Sequence, residues 1–304
     1  MGRMSKTGRG TVEILIACAI WGYGYIVIKN AFAYLPLNSL MSTRYVIAAA
    51  AMLLIFLRRL RTTTRHTLLG GAAMGLLLYA SQYCQTAALG FANTTAGEVA
   101  FITALYVVLV PFLNAVLRRK FPERKSVAAA ALAIVGLFIL EQGGIGATSG
   151  CAVALLGSGA FAVHILVIDH FTKSEDPILL TVWQFVFAAV YSCIVQELQR
   201  TPSLSWNLLQ SVAWPLIYLG IFSTLLGFLM QTAGQKNLSP ELSSILLATE
   251  AVFGLAFSAA LASEALTLGK LLGCGLMLAA VILSELTTKT SPRKKERLPE
   301  HDKI

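Results

Sequence analysis

Ten apolar runs follow one another along the chain, with little sequence between them. They lie at approximately 11–31, 39–57, 67–89, 96–117, 126–141, 150–169, 178–197, 212–234, 240–262 and 267–286. A helix needs about 20 apolar residues to cross the hydrocarbon core, somewhat fewer when flanking side chains reach the interface. Only 13% of the 304 residues are charged and 56% are hydrophobic, against about 25% charged in a soluble domain. A water-exposed fold of this size lacks the polar residues to cover itself. The pattern excludes a disordered chain, a coiled coil and an ordinary soluble enzyme, and predicts an all-α membrane protein.

The net charge is +9. The basic residues sit in short clusters between apolar runs, which is how topology signals and lipid-headgroup contacts are distributed. Membrane lipid is therefore the expected partner of these bases, and no nucleic-acid partner is expected. With a cytoplasmic N-terminus, 20 Lys and Arg fall in inside segments and 3 (Lys29, Arg200, Lys270) in outside ones. This bias predicts that both termini are cytoplasmic and that the number of spans is even. No small-x-small cleavage site follows the first run, so that run is expected to remain as a span. The five cysteines have no paired spacing and no neighbouring histidine, so neither a disulfide framework nor a metal site is expected. No cofactor is expected either.

The two halves of the chain resemble each other. A shift of 144 places Gly90 on Gly234, Asn93 on Asn237, Thr95 on Ser239, Ala104 on Ala248, Val108 on Val252 and Glu141 on Glu285. A shift of 140 places the Trp21–Arg44 stretch on Phe161–Gln184, and Gln85-Thr86-Ala87 recurs as Gln231-Thr232-Ala233. Five spans per half is an odd number, so the second half inserts upside down relative to the first. The predicted fold is ten transmembrane helices arranged as two inverted five-helix repeats. Its divisions are a cytoplasmic segment 1–10, repeats at 11–142 and 150–287, and a basic cytoplasmic tail 288–304. Inverted repeats are the plan of many secondary transporters, because two similar halves of opposite orientation can exchange shapes around a central site.

Several motifs carry a family resemblance. Trp21-Gly22-Tyr23-Gly24-Tyr25 leads to Lys29, Pro36 and Arg44. Thr94-Thr95-Ala96-Gly97 precedes Ala100-Phe101-Ile102-Thr103-Ala104-Leu105-Tyr106 and Pro111. Leu238-Ser239-Pro240 runs to Glu250, then Ser263-Glu264-Ala265-Leu266-Thr267. From about residue 11 to 287 the chain resembles EamA-type members of the drug/metabolite transporter superfamily. It departs from their pattern at Ala251, where Pro commonly follows the glutamate, at Glu98, and at Phe121-Pro122-Glu123-Arg124. The resemblance implies a ten-helix carrier for amino acids, related metabolites or drugs, often an exporter.

Polar residues at helical spacing mark a helix face that lipid would penalise. Tyr79, Gln82, Tyr83 and Thr86 form the best such stripe. Thr103, Tyr106 and Asn114 share a face, as do Thr224, Gly227 and Gln231; Ser243, Glu250, Gly254 and Ser258; and Gly22, Tyr25 and Lys29. Among ionisable residues inside spans, Glu250 is the deepest acid and His164 lies well inside its run. Arg44 can reach the outer interface by extending its stem. Asp169 and His170 end the sixth run and are expected to be solvated. Trp206 and Trp214 read as interfacial anchors, and Gly269 with Gly273 as a packing motif. The expected substrate-binding residues are Tyr25, Tyr79, Gln82, Tyr83, Tyr106, His164, Gln231 and Glu250.

These features predict a secondary transporter for a small molecule in a bacterial inner (plasma) membrane, working as a monomer or homodimer. The competing readings are a membrane-embedded enzyme and a non-transporting scaffold. The sequence holds no HExxH or GxSxG motif and no convincing acid pair, which counts against the enzyme. It holds no Walker A motif, which counts against an ATP-driven pump.

Overall fold

The structure is a computed structural model that describes residues 5–32, 34–88, 91, 99, 102–140, 149–201, 210, 212–261 and 266–290. Of the residues singled out above, Gly90, Asn93, Thr94, Thr95, Ala96, Gly97, Glu98, Ala100, Phe101, Glu141, Trp206, Ser263, Glu264, Ala265 and the side chains of Tyr25, Lys29, Ser258 and Glu285 lie outside the description. Among the described residues there is no strand. This is the outcome lipid dictates, since a helix satisfies its main-chain polar groups within one segment.

In chain order the helices are α1 (Lys6–Phe32), α2 (Leu37–Ile55), α3 (Arg65–Ala88), α4 (Tyr106–Arg118), α5 (Arg124–Leu140), α6 (Ser149–Phe171) and α7 (Pro177–Leu198). Then come α8 (Ala213–Gln235), α9 (Pro240–Leu261) and α10 (Leu268–Thr290). A 3-10 turn, Leu57–Thr62, joins α2 to α3. Six segments are long and apolar enough to cross a membrane: Lys6–Ile28, Leu37–Ile55, Ser149–Phe171, Pro177–Leu198, Ala213–Gln235 and Pro240–Leu261. Ile102–Arg118 and Leu268–Ser284 are shorter apolar helices. Local chemistry sets several ends. Asp176 accepts a hydrogen bond from the Ile178 amide at 2.9 Å and Pro177 opens α7. Ser239 accepts from the Leu242 amide at 3.2 Å and Pro240 opens α9. Both pairs combine an oxygen cap with a proline where no N–H is needed.

Three helices depart from regular α geometry, one of them the helix Ile102–Arg118, which is interrupted at Leu105 just before α4. Residues Tyr218–Leu226 of α8 are π-helical, and α9 is interrupted at Thr249. π turns occur often at functional sites. In α8 the Ser223 carbonyl accepts the indole N–H of Trp21 at 2.8 Å.

The packing has a definite pattern. α1 lies against α8 and α9, while α6 lies against α3 and α4. α2 packs on the π segment of α8, while α7 packs on α3. α2 meets α7, α4 meets α9 and α5 meets α10. Glycine permits the closest of these approaches. A β carbon on Gly136 of α5 would lie 2.8 Å from the Gly273 carbonyl of α10, so Gly273 serves packing within the bundle. Gly269, the other half of that motif, meets nothing outside its own turn.

The helix connections sort to two ends. At one, Arg59 pairs with Asp176 at 3.1 Å, His66 with Glu175 at 3.0 Å, and Asn114 with Glu241. Asp169 is buried there between Lys173 at 2.9 Å and Arg118 at 3.6 Å. This corrects the expectation of a solvated Asp169: two cations on the next turn and on α4 replace its water. His170 is exposed. At the other end Asn38 donates to Gln199 at 2.6 Å and to Thr201 at 3.0 Å, and Ser42 donates to Gln196. Between the ends, large apolar side chains such as Leu76, Leu156 and Val190 face outward, a surface suited to lipid rather than water. Trp214 is exposed near the start of α8, where an interfacial anchor is expected.

Glu175 gives a pH test of this packing. It accepts from Thr67, from Thr64 at 3.2 Å, and meets His66. The Thr67 bond above all, with help from His66 and Thr64, holds its carboxyl below the ordinary value, against the opposing effect of burial. A depressed carboxyl stabilises the fold above its unfolded pKa, and that contribution is lost as pH falls through the folded one. Glu175→Gln is expected to melt a few degrees below wild type at neutral pH. The gap is expected to close as pH drops through the carboxylate range. Parallel melting curves across that range would show that Glu175 contributes nothing pH-dependent.

Candidate functional site

α2 and α7 bring Tyr45 and Phe185 together at the middle of the bundle, both fully buried, with ring centroids 6.0 Å apart. From this pair an aromatic seam runs both ways. Tyr45 touches Tyr79 of α3 at 6.4 Å, and Tyr79 touches Tyr83 at 5.8 Å. Phe185 touches Phe228 of α8 at 5.6 Å, and Phe228 touches Trp21 of α1 at 4.7 Å. Five helices thus contribute to one continuous wall. Aromatic pairs at these separations attract beyond their burial.

A second arm reaches the same place from the other side. Tyr106 of α4 packs edge-on to Phe161 of α6 at 5.0 Å, and Phe161 stacks on His164 at 5.6 Å. His164 Nε2 lies 2.9 Å from Gln184 Oε1, and Gln184 directly precedes Phe185. The arms therefore join on α7.

Polar groups are set into this wall. Arg44 is buried on α2, its Nε donating to the Thr224 hydroxyl at 3.0 Å and its guanidinium carbon 5.3 Å from the Tyr45 ring centroid. Its side chain points into the bundle and does not extend to the interface. The Tyr45 hydroxyl, His164 Nδ1 and Gln184 Nε2 are buried and have no hydrogen-bond partner among the described residues. Buried polar groups are normally paired, so these three make the wall a candidate binding surface. Among the described residues no His, Cys, Asp and Glu cluster could hold a metal ion.

Of the residues chosen from sequence, the structure brings Tyr79, Tyr83, Tyr106 and His164 onto these two arms. Tyr79, Tyr106 and His164 are buried. Tyr83 is half-buried, its hydroxyl accepting from Gln199 Nε2 at 2.7 Å at the end of the bundle. Gln82 is half-buried, and its carbonyl accepts from Thr86 at 2.6 Å. Gln231 is fully buried one turn beyond Phe228, 3.5 Å from Gln235, at the edge of the seam. Glu250 stands apart from both arms, at the break of α9 against α1, where the Cys18 thiol points at the carbonyls of Leu246 and Leu247.

Sequence reasoning left out Tyr45, Phe185, Phe161, Phe228 and Gln184. Four of these are aromatic residues in apolar runs, where nothing in local composition separates a wall from a core. The usable signal was the repeat. Tyr45 and Phe185 are 140 positions apart, the offset that aligns Trp21–Arg44 with Phe161–Gln184.

The EamA-like transporter family matches the chain twice, over residues 8–141 and 148–286. An uncharacterized transporter of Archaeoglobus fulgidus is 26% identical over 273 residues, covering 90% of this chain and 84% of the relative. A second uncharacterized transporter of the same organism is 22% identical over 274 residues, covering 90% and 97%. A solved structure titled only as the crystal structure of a protein has a TM-score of 0.77 at 16% identity, covering 93% of this chain and 99% of that one. It shares the fold.

Proposed function

The chain belongs to the EamA-like transporter family, and from that premise we propose that it is a secondary carrier that moves amino acids or related small metabolites by alternating access, with export favoured. The observation that carries the reading is the packing pattern. Exchange each helix with the one five places along, and the pairs map onto one another: α1 on α8 and α9 becomes α6 on α3 and α4, and α2 on α8 becomes α7 on α3. The pairs α2–α7, α4–α9 and α5–α10 map onto themselves. That exchange supports two five-helix repeats related by an axis in the membrane plane, with all ten helices spanning.

It also supports two bodies, one of α1, α2, α8 and α9 and one of α3, α4, α6 and α7. They meet at Tyr45 and Phe185, and the aromatic arms line the seam between them. Rocking about that seam exposes the same wall first to one side and then to the other. The sequence holds no Walker A motif, and in this reading an ion or substrate gradient drives the cycle. Glu250 and His164 remain the candidates for proton exchange. The basic end, with both termini, faces the cytoplasm of a cell whose plasma membrane holds the protein, in accord with the distribution of Lys and Arg. Neither arm presents a nucleophile with a base beside it, so an enzymatic reading has no support in the geometry.

Reconstitution tests the proposal. Proteoliposomes are assayed for uptake of labelled amino acids and related metabolites, with and without a pH gradient. The expected result is saturable uptake of a restricted set, accelerated by unlabelled substrate on the opposite side. Tyr79→Ala and Tyr106→Ala are expected to lower uptake per folded molecule about tenfold or more, since each removes a wall-forming ring. Tyr79→Phe is expected to keep most of it. Wild-type rates in both alanine variants would remove the aromatic wall from the mechanism. Uptake of nothing in the panel, in either direction, would remove the carrier.

A further inference from the structure

We propose that the carrier's substrate bears a carboxylate, and that Arg44 binds it. The proposal deepens the carrier reading and rests on it, because it assigns a chemistry to the same seam. Three observations support it.

The first is depth. In a pair of inverted repeats, a residue that touches its own repeat mate lies on the axis relating them, and that axis runs at mid-membrane. Tyr45 and Phe185 are such mates by the 140-residue offset, and their rings are in contact. Arg44 is the neighbour of Tyr45, and its guanidinium lies over that ring. The charge therefore sits near the midplane, where an arginine without a partner is costly and is retained for function. It is 4% exposed, so it does not serve a lipid headgroup.

The second is the missing counter-charge. Among the described residues no carboxylate lies within ion-pair distance of Arg44, although Asp169 and Asp176 have cationic partners elsewhere and Glu175 meets His66. Its polar contacts among the described residues are the Thr224 hydroxyl and the Tyr45 ring face. A guanidinium carries five N–H donors in a fork that matches a carboxylate, and Nε alone is engaged by Thr224. The third is the neighbouring orphan. The Tyr45 hydroxyl is fully buried with no partner among the described residues, and a tyrosine O–H beside an arginine fork is a second donor to an anionic oxygen.

The repeat sharpens the point. At the position equivalent to Arg44 the second half carries Gln184, already bonded to His164. One body thus offers a fixed positive charge and the other a neutral amide with an imidazole. A substrate held between them has an anionic end toward α2 and α8, and an apolar or hydrogen-bonding body against Tyr79, Phe185 and His164.

The test uses full-length protein in nanodiscs and matched pairs in which a neutral primary amide replaces the carboxylate: 3-phenylpropionate with 3-phenylpropionamide, and L-leucine with L-leucinamide. Binding is read by calorimetry and by thermal stabilisation. The acid of at least one pair is expected to bind and its amide not to. Arg44→Gln is expected to weaken acid binding by about tenfold to a hundredfold, the range for a lost bond to a charged group. Arg44→Lys, which keeps the charge and loses the fork, is expected to bind the same acid more weakly and remain acid-selective. Thr224→Val removes the hydrogen bond that positions Arg44 but leaves its charge, and is expected to retain acid selectivity.

Equal binding of acid and amide, binding of neither, or unchanged acid binding in Arg44→Gln would overturn the proposal. So would a Thr224→Val protein that loses acid binding as completely as Arg44→Gln and melts equally low, since Arg44 would then only brace the π segment. Should Arg44→Gln not fold, Arg44→Lys decides by its acid selectivity. Uptake of the amides in proteoliposomes would overturn this proposal and leave the carrier standing. Acid binding without transport would do the reverse.

Discussion

Replacing Gly71 and Gly75 together by valine is expected to eliminate folded protein. Both glycines face α7 one turn apart on α3. A β carbon on Gly71 would lie 2.3 Å from the Trp183 β carbon and 3.0 Å from its carbonyl carbon. One on Gly75 would lie 2.5 Å from the Gln184 carbonyl oxygen and 3.1 Å from the Ala188 nitrogen. The obstacles are backbone and the root of a side chain, so no rotamer change relieves them. Overpacking typically costs about 1–3 kcal/mol per site, and small residues at such a crossing are how membrane helices approach closely. The strain would also fall on Gln184 and Phe185, the residues where the aromatic arms join. Gly159→Ala on α6 is the control, because nothing lies within 4 Å of the added carbon. Size-exclusion profiles and melting in detergent report both. Wild-type profiles for the valine pair would mean that α3 and α7 are further apart than described.

The fold was legible because lipid leaves so few options. Long apolar runs between basic clusters become helices, and the runs at 150–169, 178–197 and 240–262 correspond to α6, α7 and α9 within a turn. The first helix starts earlier than its apolar run, at Lys6, because a polar turn on the water side extends a helix without cost to the pattern. The π segment of α8 and the break at Thr249 left no mark in composition; along α8, Gly220 sits under Ile47 of α2 and Gly227 under the Trp21 indole, a fit between helices that composition does not carry.

The candidate site was legible only where polarity contrasts with its surroundings. Tyr79 and Tyr83 stand out by helical spacing in a run that also holds Gln82 and Thr86. His164 stands out as a histidine deep in an apolar run. Tyr45 and Phe185 do not, because an aromatic residue among leucines and alanines reads as core until a partner helix is placed beside it. Arg44 was visible but its direction was not. A long stem allows either an interfacial or a central charge, and tertiary packing against Thr224 decides. The repeat offset was the one piece of sequence information able to find the crossing, had it been carried one residue past Arg44.

The central claim is that two bodies separate and close around the Tyr45–Phe185 seam. At the end away from the basic clusters they are joined by Ser42 to Gln196 and Asn38 to Gln199, both between α2 and the end of α7. That clasp must open once in every cycle of an alternating carrier. The direct measurement replaces the five native cysteines, introduces Ser42→Cys with Gln196→Cys, and bridges them with a short bifunctional methanethiosulfonate in proteoliposomes. Bridging is expected to bring uptake down to that of protein-free vesicles, with recovery on reduction. Each single-cysteine variant given the same reagent is expected to remain active. Bridged protein that transports as fast as unbridged protein would contradict the account, because substrate would then pass without the two bodies parting at this end.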